Sequence, residues 1–194
     1  MSLVRKAAPL FNEAAVLKNE FIKVNLEDYR GKWVVLFFYP LDFTFVCPTE
    51  ITTMSDAMDE FEKRDAEVIG VSVDSLYSHN MWMNIPRTEG GIGQLEYPLV
   101  SDFTKSISES YGVLLPEGMA LRATFIIDPE GLIQFELVHD LSIGRNVSEI
   151  IRNLDALRFT SEHGEVCPAG WVPGNDTITP DIDKSKTYFS KNSR

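Results

Sequence analysis

The stretch that decides the fold is Lys32-Trp-Val-Val-Leu-Phe-Phe-Tyr39, which ends at Pro40. It is short, rich in β-branched and aromatic residues, and halted by proline, so it predicts a strand buried on both faces, as in a parallel sheet. Residues 66–73 have the same character and predict a second buried strand. The segment 48–64 between them predicts a helix, because apolar residues recur there at helical spacing: Ile51, Met54, Met58 and Phe61.

Further elements follow in chain order. The pattern predicts a helix over 75–84, a helix capped by Asp102 and ended by Gly112, a hairpin with strands 123–127 and 133–137 around the turn Asp128–Gly131, and a helix from Asn146. This order predicts an α/β protein with a thioredoxin-like sandwich. Beyond Thr160 the pattern fades into Gly, Pro and Asp. We therefore expect a main domain over 1–160 and a C-terminal extension over 161–194 that leans on the body or on another subunit.

The net charge argues against nucleic acid and anionic membranes as partners, and the short apolar runs argue against a membrane-spanning segment. The chain has 29 acidic and 18 basic residues, a formal net charge of -11 and a pI near 4.7. Its long-range field repels nucleic acid and anionic membrane surfaces. The longest apolar run, Trp33 to Leu41, is far below the ~20 residues needed to cross a bilayer. No signal-peptide pattern opens the sequence, so a soluble, cytoplasmic protein is expected.

Two cysteines are too few for a disulfide-stapled scaffold. Cys47 comes directly before Pro48, in the first turn of the predicted helix. There the free N–H groups and the positive end of the helix dipole favour a thiolate, which is the reactive form. The alternative is that Cys47, beside Phe45 and Val46, is a small buried apolar residue. Position alone leaves both interpretations open.

The second cysteine, Cys167, lies in the irregular tail. A local exchange site would need a second cysteine at C-x-x-C spacing, but Glu50 stands there. Any redox partner of Cys47 must therefore be distant in sequence. Val166-Cys-Pro168, in a segment that lacks core pattern, suits a thiol that must move to its partner. The alternative is that this cysteine is incidental.

Three motifs together resemble a known family. They are the segment from Phe38 to Glu50 (FYPLDFTFVCPTE), Arg122 before Ala-Thr-Phe-Ile-Ile-Asp128, and Val166-Cys-Pro-Ala-Gly-Trp171. The chain resembles a typical two-cysteine peroxiredoxin, of the thioredoxin peroxidase branch, over essentially its whole length. The spacing P-x-x-x-T-x-x-C with a downstream Val-Cys-Pro is much more specific than one cysteine at a helix start.

The resemblance implies a reaction and its partners. The Cys47 thiolate reduces hydrogen peroxide or a small alkyl hydroperoxide and becomes a sulfenic acid. Cys167 of the other subunit of a head-to-tail homodimer then forms a disulfide with it, and thioredoxin or a similar dithiol protein reduces this disulfide. The resemblance also implies rings of dimers, such as decamers.

No metal and no organic cofactor is implied. The three histidines lack metal-ligand spacing with either cysteine and are expected to be structural or solvated: His79, His139 and His163.

The resemblance also assigns roles around the reactive sulfur. Arg122 approaches the sulfur and helps bind peroxide, Thr44 hydrogen-bonds the peroxide, and Pro40 shields the pocket. Glu50 and Arg145 resemble the pair that orients Arg122. Such donors are needed, because thiol nucleophilicity falls as basicity falls, and a lowered thiol pKa alone gives only about a few-fold gain in rate. Without the motif, both arginines would be interpreted as ordinary surface charges.

Two further features resemble peroxiredoxins that are prone to overoxidation. They are the glycines Gly90, Gly91 and Gly93, and the pair Tyr188-Phe189. In such relatives the two segments pack together and slow the local unfolding that lets the cysteines meet. The alternatives are a flexible connector and a minor C-terminal anchor.

Two other functions stay open. An assembled holdase or peroxide-signalling scaffold would use the ring rather than the thiol. A general disulfide exchanger is disfavoured by Glu50 in place of a second cysteine.

Overall fold

A computed structural model describes residues 2–192 of the chain. It divides into two compact units, Met1–Val147 and Ser148–Arg194. Within the described residues, no helix is both long enough and apolar enough to span a membrane.

The first unit is built on one seven-stranded sheet. Its strands, in chain order, are β1 Asn12–Leu17, β2 Glu20–Asn25, β3 Trp33–Phe38, β4 Ala66–Ser72, β5 Leu99–Ser101, β6 Arg122–Ile127 and β7 Ile133–His139. Their order in the sheet is β2-β1-β5-β4-β3-β6-β7. Strands β3, β4 and β5 pair in parallel, and the other pairs are antiparallel. The predicted thioredoxin-like α/β fold is confirmed.

The two strands predicted as buried form the centre of this sheet. All six residues of β3 are buried, and β4 is buried apart from a half-buried Glu67. Strand β3 pairs in parallel with β4 and antiparallel with β6, so the sheet is mixed. Central position, with both faces covered, explains why these strands carry unbroken apolar runs.

The helix predicted over 48–64 is two helices. They are α1, Cys47–Asp56, and α2, Met58–Glu62, and Ala57 between them has φ -97° and ψ 7°. The apolar positions of both helices still face the core, and all are buried. The periodicity therefore predicted the buried face correctly, but it did not predict the break.

Three strands were not predicted. Strands β1 and β2 form a hairpin whose turn residues, Lys18 and Asn19, both have positive φ, at 48° and 64°. Positive φ at both turn residues is typical of a tight hairpin, but the sequence there lacks the glycine that usually indicates such a turn. Strand β5 has only three residues, too few for a periodic pattern.

The remaining elements follow the predictions more closely. Helix α3, Leu76–Met83, begins at Ser75, whose hydroxyl accepts a bond from Ser78 N–H at 3.2 Å. Helix α4 is Ser106–Ser110, and the Asp102 carboxylate accepts bonds from two of its N–H groups at 2.7 and 3.0 Å. The hairpin turn is closed by Gly131 N–H donating to the Asp128 carbonyl at 2.8 Å. Helix α5 is Val147–His163, and helix α6, in the second unit, is Ser185–Asn192.

Candidate active site

The Cys47 thiol lies at the first residue of helix α1 and is fully buried. Pro48 occupies the start of the helix, where a missing N–H costs least. Strand β3 ends at Phe38, and the loop 39–46 returns the chain to this helix start. The positive end of the helix dipole therefore acts on the sulfur.

Thr44 supplies a hydroxyl to the sulfur. Its Oγ1 lies 2.8 Å from Cys47 Sγ and 2.9 Å from the Leu41 carbonyl oxygen. The hydroxyl has one proton, so it donates to only one of these two atoms at a time. When it donates to Leu41, it can accept from the neutral thiol; when it donates to sulfur, it stabilises the thiolate. The same group thus satisfies both ionisation states.

Arg122 brings a positive charge to the sulfur. It is the first residue of β6, and its Nη1 lies 3.2 Å from Cys47 Sγ and 2.7 Å from Glu50 Oε2. Its Nε donates to the Leu141 carbonyl at 2.8 Å. The side chain is only 4% exposed. These acceptors fix the orientation of the buried guanidinium beside the sulfur, at the wall of the cavity that Pro40 and Thr44 also line.

Glu50 joins this cation to Arg145. Its Oε1 accepts from Arg145 N at 2.7 Å and Nε at 2.8 Å, and its Oε2 accepts from Nη2 at 3.1 Å. Burial by itself would raise the pKa of Glu50, but hydrogen bonds and charge from Arg145, with the charge of Arg122, outweigh it and lower the pKa. Glu50 is therefore a carboxylate that holds two arginines together.

Arg145 is in turn anchored to the sheet. Its Nη1 donates to the Phe38 carbonyl at 2.9 Å and to the Ala123 carbonyl at 2.5 Å. Its guanidinium lies 5.3 Å from the centre of the Phe37 ring. These contacts connect β3 and β6 to the start of α1. The predicted pair Glu50 and Arg145 is thus brought together beside Arg122.

The loop before Cys47 is held by a carboxylate that the sequence reasoning missed. Asp42 is buried, accepts from Tyr39 Oη at 2.8 Å and Ser78 Oγ at 2.7 Å, and lies 2.8 Å from His79 Nδ1. The signal in the sequence was a lone carboxylate in the loop 40–46, whose other residues are apolar apart from Thr44. The next residue, Phe43, has φ +56°, a strained backbone conformation for a bulky residue.

A cavity of about 310 Å³ opens beside these groups. Pro40, Thr44 and Arg122 line it. Apolar side chains form much of its remaining wall, among them Met119, Leu141 and the 93% exposed Phe45. The cavity therefore combines two polar groups that contact the thiol, from Thr44 and Arg122, with a largely apolar remainder of its wall.

The predicted glycine loop follows helix α3. Gly90 and Gly93 have positive φ, 81° and 64°. A Cβ at Gly91 would lie 2.0 Å from the Ile85 carbonyl oxygen, so a side chain there requires a backbone shift. The indole N–H of Trp82 donates to the Gly90 carbonyl at 2.9 Å. The loop is thus an ordered element with bonds to α3 and is more than a flexible connector.

The second unit contains Cys167, between α5 and α6. The thiol is free and partly buried, and its sulfur lies 3.7 Å from the Ala156 carbonyl oxygen and 3.8 Å from Thr160 Oγ1. Tyr188 and Phe189 lie on α6, with ring centres 5.6 Å apart.

Cys47 is also free. Across residues 2–192, no three His, Cys, Asp or Glu side chains are grouped to hold a metal ion.

The fold and the thiol site define a class of protein. A thioredoxin-like domain that holds one buried thiol against a hydroxyl and a guanidinium is built for cysteine redox chemistry. Comparison with known proteins names the family. Residues 4–136 match the AhpC/TSA family, and residues 156–191 match the C-terminal domain of 1-Cys peroxiredoxin.

Relatives and solved structures agree with these matches. Peroxiredoxin-2 of Mus musculus is 56% identical over 97% of this chain and 96% of its own. The mitochondrial thioredoxin-dependent peroxide reductase of Drosophila melanogaster is 56% identical over 97% of this chain and 82% of its own. The structure of reduced 2-Cys peroxiredoxin from Plasmodium vivax covers 98% of this chain and 100% of its own, with 45% identity and a TM-score of 0.96.

The chain belongs to the AhpC/TSA family and, within it, to the 2-Cys peroxiredoxins. It is an oxidoreductase, a peroxidase that uses cysteine chemistry.

Proposed function

We propose that Cys47 is the residue that attacks the peroxide and that Thr44, Arg122 and Pro40 form its site. One observation carries this assignment: the Cys47 sulfur, at a helix start, lies 2.8 Å from a hydroxyl and 3.2 Å from a guanidinium nitrogen. A thiolate requires such donors, and so does the charge that develops on the departing oxygen. Glu50 and Arg145 position Arg122 and do not touch the substrate.

In the first step the Cys47 thiolate attacks one oxygen of the peroxide. An S–O bond forms, the O–O bond breaks, and the departing oxygen takes a proton to leave as water or alcohol. The sulfur is oxidised to sulfenic acid. Thr44 and Arg122 hold the peroxide in line with the sulfur, and this orientation lowers the barrier to attack. The apolar part of the cavity wall supports small alkyl hydroperoxides as substrates beside hydrogen peroxide.

In the second step the Cys167 thiol condenses with the Cys47 sulfenic acid. An S–S bond forms and water leaves. A dithiol protein, thioredoxin or a similar one, then reduces this disulfide and is itself oxidised. The Drosophila melanogaster relative bears the name thioredoxin-dependent peroxide reductase, which supports this reductant for the present chain. The free state of both thiols fits the reduced, resting enzyme.

The disulfide in this proposal joins two subunits of a homodimer. Strand β7 lies at one edge of the sheet, and Val138 on it is 47% exposed. An open edge strand offers unpaired backbone groups to a second copy. Rings of dimers would in addition cover exposed aromatic side chains on the first unit, among them Phe43, Tyr77 and Phe103.

Three finer assignments belong to the same proposal. Residues 1–160 form the peroxidase domain and 161–194 the extension, which is supported by the end of α5 at His163. The glycine loop 90–93 and the pair Tyr188-Phe189 make the enzyme prone to overoxidation, which the ordered conformation of that loop supports. A cytoplasmic location is supported by the low cysteine count, since two cysteines are too few for the disulfide scaffold of a small secreted protein.

One set of measurements tests the assignment. Peroxide is mixed in a stopped-flow instrument with wild type, Cys47→Ser and Cys167→Ser, and the products are run on non-reducing gels. We expect Cys47→Ser to lose peroxide reduction. We expect Cys167→Ser to reduce one equivalent of peroxide and to stop at the sulfenic acid, without the covalent dimer that wild type forms. Thioredoxin-coupled turnover that survived in Cys47→Ser would refute the assignment, and a monomeric oxidised band in wild type would place the bridge within one chain.

A further inference from the structure

The backbone around Cys167 is fastened on both sides within the second unit. Upstream, Val166 and Ile178 exchange two backbone hydrogen bonds, at 2.9 and 3.0 Å. Downstream, Trp171 N–H donates to the Pro168 carbonyl at 3.1 Å and closes a turn. The Cys167 sulfur makes two long contacts, with the Thr160 hydroxyl at 3.8 Å and the Ala156 carbonyl oxygen at 3.7 Å, and has a charge interaction with Arg152. Its flanks therefore decide its position.

The downstream end of this turn rests on helix α5. The Trp171 side chain is 3% exposed, and its ring lies 5.1 Å from the Phe159 ring. Its indole N–H donates to the Asn175 carbonyl at 3.1 Å. Trp171 therefore packs the end of the turn 168–171 against α5, while Ala169 and Gly170 in the middle of the turn are exposed.

Arg152 joins this turn to the helix by a charged hydrogen bond. Its Nη1 donates to the Trp171 carbonyl at 3.0 Å. Its Nε and Nη2 each donate to the Glu149 carboxylate at 2.7 Å, a two-pronged pair. The hydrogen bond from Arg152 lowers the pKa of Glu149, so this anchor stays ionised at neutral pH. The guanidinium is thus held by Glu149 on one side and holds the Cys167 turn on the other.

We propose that Arg152 is a positioning residue for Cys167: it holds the turn 168–171 on α5 in the reduced enzyme and so sets how fast the thiol becomes available to Cys47. This inference rests on the proposed function. Disulfide formation brings two sulfur atoms to about 2.05 Å with a narrow range of Cα separations. Cys47 is fully buried, so the two sulfur atoms meet only after the backbone around the cysteines moves, and the Arg152 bond opposes that movement on the Cys167 side. Release of the bond exposes the thiol without any change at Cys47.

The test is the variant Arg152→Gln, with Arg158→Gln as its control. Arg158 lies on the same helix, is 27% exposed against 25% for Arg152, and pairs with Glu162 at 3.4 Å. Each protein is mixed with one equivalent of hydrogen peroxide, quenched with an alkylating reagent at set times, and analysed by intact mass. This separates the rate of sulfenic acid formation from the rate of disulfide formation.

We expect Arg152→Gln to form the disulfide about fivefold faster, the effect of losing one net hydrogen bond from the closed state. Sulfenic acid formation should be unchanged, and excess peroxide should produce less sulfinic acid. Arg152→Lys keeps the charge but lacks the fork, so its rate should be intermediate. Arg158→Gln should match wild type. Acrylamide should quench Trp171 fluorescence more in Arg152→Gln, because the other two tryptophans, Trp33 and Trp82, are buried in the first unit.

A disulfide rate in Arg152→Gln that equals or falls below that of wild type would overturn the proposal. Equal acceleration in Arg158→Gln would also overturn it, since the effect would then be general to the helix. If Arg152→Gln fails to fold, Glu149→Gln tests the same bond by removing its anchor, and a faster disulfide step is again expected. These outcomes leave the proposed function intact, whereas a wild type that forms no Cys47–Cys167 disulfide would refute the proposed function itself.

Discussion

Glu50 and Arg145 are 95 positions apart in the chain and are joined by three hydrogen bonds, at 2.7, 2.8 and 3.1 Å. The same carboxylate accepts from Arg122, which reaches Cys47. Glu50 belongs to the helix that begins with Cys47. One buried carboxylate therefore fixes the position of the Arg122 guanidinium relative to the Cys47 thiol. The first two predictions concern this carboxylate.

Glu50→Gln should lose both stability and peroxide reduction. The substitution keeps the shape but removes the charge that compensates two buried arginines, so the free energy of unfolding should fall by about 3 kcal/mol. Misplacement of Arg122 should lower the second-order rate with hydrogen peroxide by about tenfold to a hundredfold. Urea unfolding and stopped-flow fluorescence measure the two quantities. Glu60→Gln is the control, because Glu60 pairs with Lys63 and Arg64 at the protein surface, where ion pairs contribute little, and the free energy of unfolding should change much less.

The Glu50 contribution should depend on pH in a defined direction. The pKa of Glu50 is lowered in the folded protein, so its ionised form stabilises the fold above the unfolded value of about 4.3. That stability is lost as pH falls from there through the folded pKa. The difference in free energy of unfolding between wild type and Glu50→Gln should be constant from about pH 7 to 5 and shrink below about pH 4. A difference that grew on acidification would contradict the ionised state of Glu50.

Thr44→Val should separate the hydroxyl from the shape of its side chain. Valine keeps the volume but leaves Cys47 Sγ without its bond at 2.8 Å. We expect the rate with hydrogen peroxide to fall by about a hundredfold, the range seen when one donor to a developing anion is removed. Thr44→Ser keeps the hydroxyl and should stay within about tenfold of wild type. Equal losses in both variants would mean that packing, rather than the hydroxyl, is what Thr44 supplies.

Met119→Trp should change which peroxides are accepted. Met119 belongs to the apolar part of the cavity wall, and a larger side chain there narrows the cavity. The rate with cumene hydroperoxide should fall by about tenfold or more, the scale on which apolar pockets discriminate by size. Hydrogen peroxide is small and should react within about twofold of the wild-type rate. Met81→Trp is the control, because Met81 is 59% exposed on helix α3. Parallel losses for both peroxides would show that Met119 does not act on size.

The fold could be predicted where the chain carries a strong local pattern. Strands β3 and β4 were predicted within one or two residues, because central strands with both faces covered must be apolar throughout. The hairpin turn at Asp128 was predicted from its Asp-Pro-x-Gly chemistry. Strand β5 was missed because it has only three residues, which are defined as a strand by their pairing with β1 and β4 and by no pattern of their own. The break at Ala57 was missed because apolar periodicity continues across it.

The candidate site likewise contains residues that a local sequence pattern predicts and residues that no local pattern predicts. The sequence by itself determined that Cys47 stands at a helix start behind Pro48, with Thr44 three residues before it, because these relationships lie within one turn of chain. Only the family motif pointed to Arg122 and Arg145, since no local pattern can announce contacts across 75 and 95 positions. The tertiary structure decided how they meet: pairing of β6 with β3 carries Arg122 to the sulfur, and Glu50 fixes both guanidinium groups. Buried charges must be paired. Glu50, Arg122 and Arg145 are buried, and each pairs with a residue that is distant in the sequence, so only the tertiary structure brings them together.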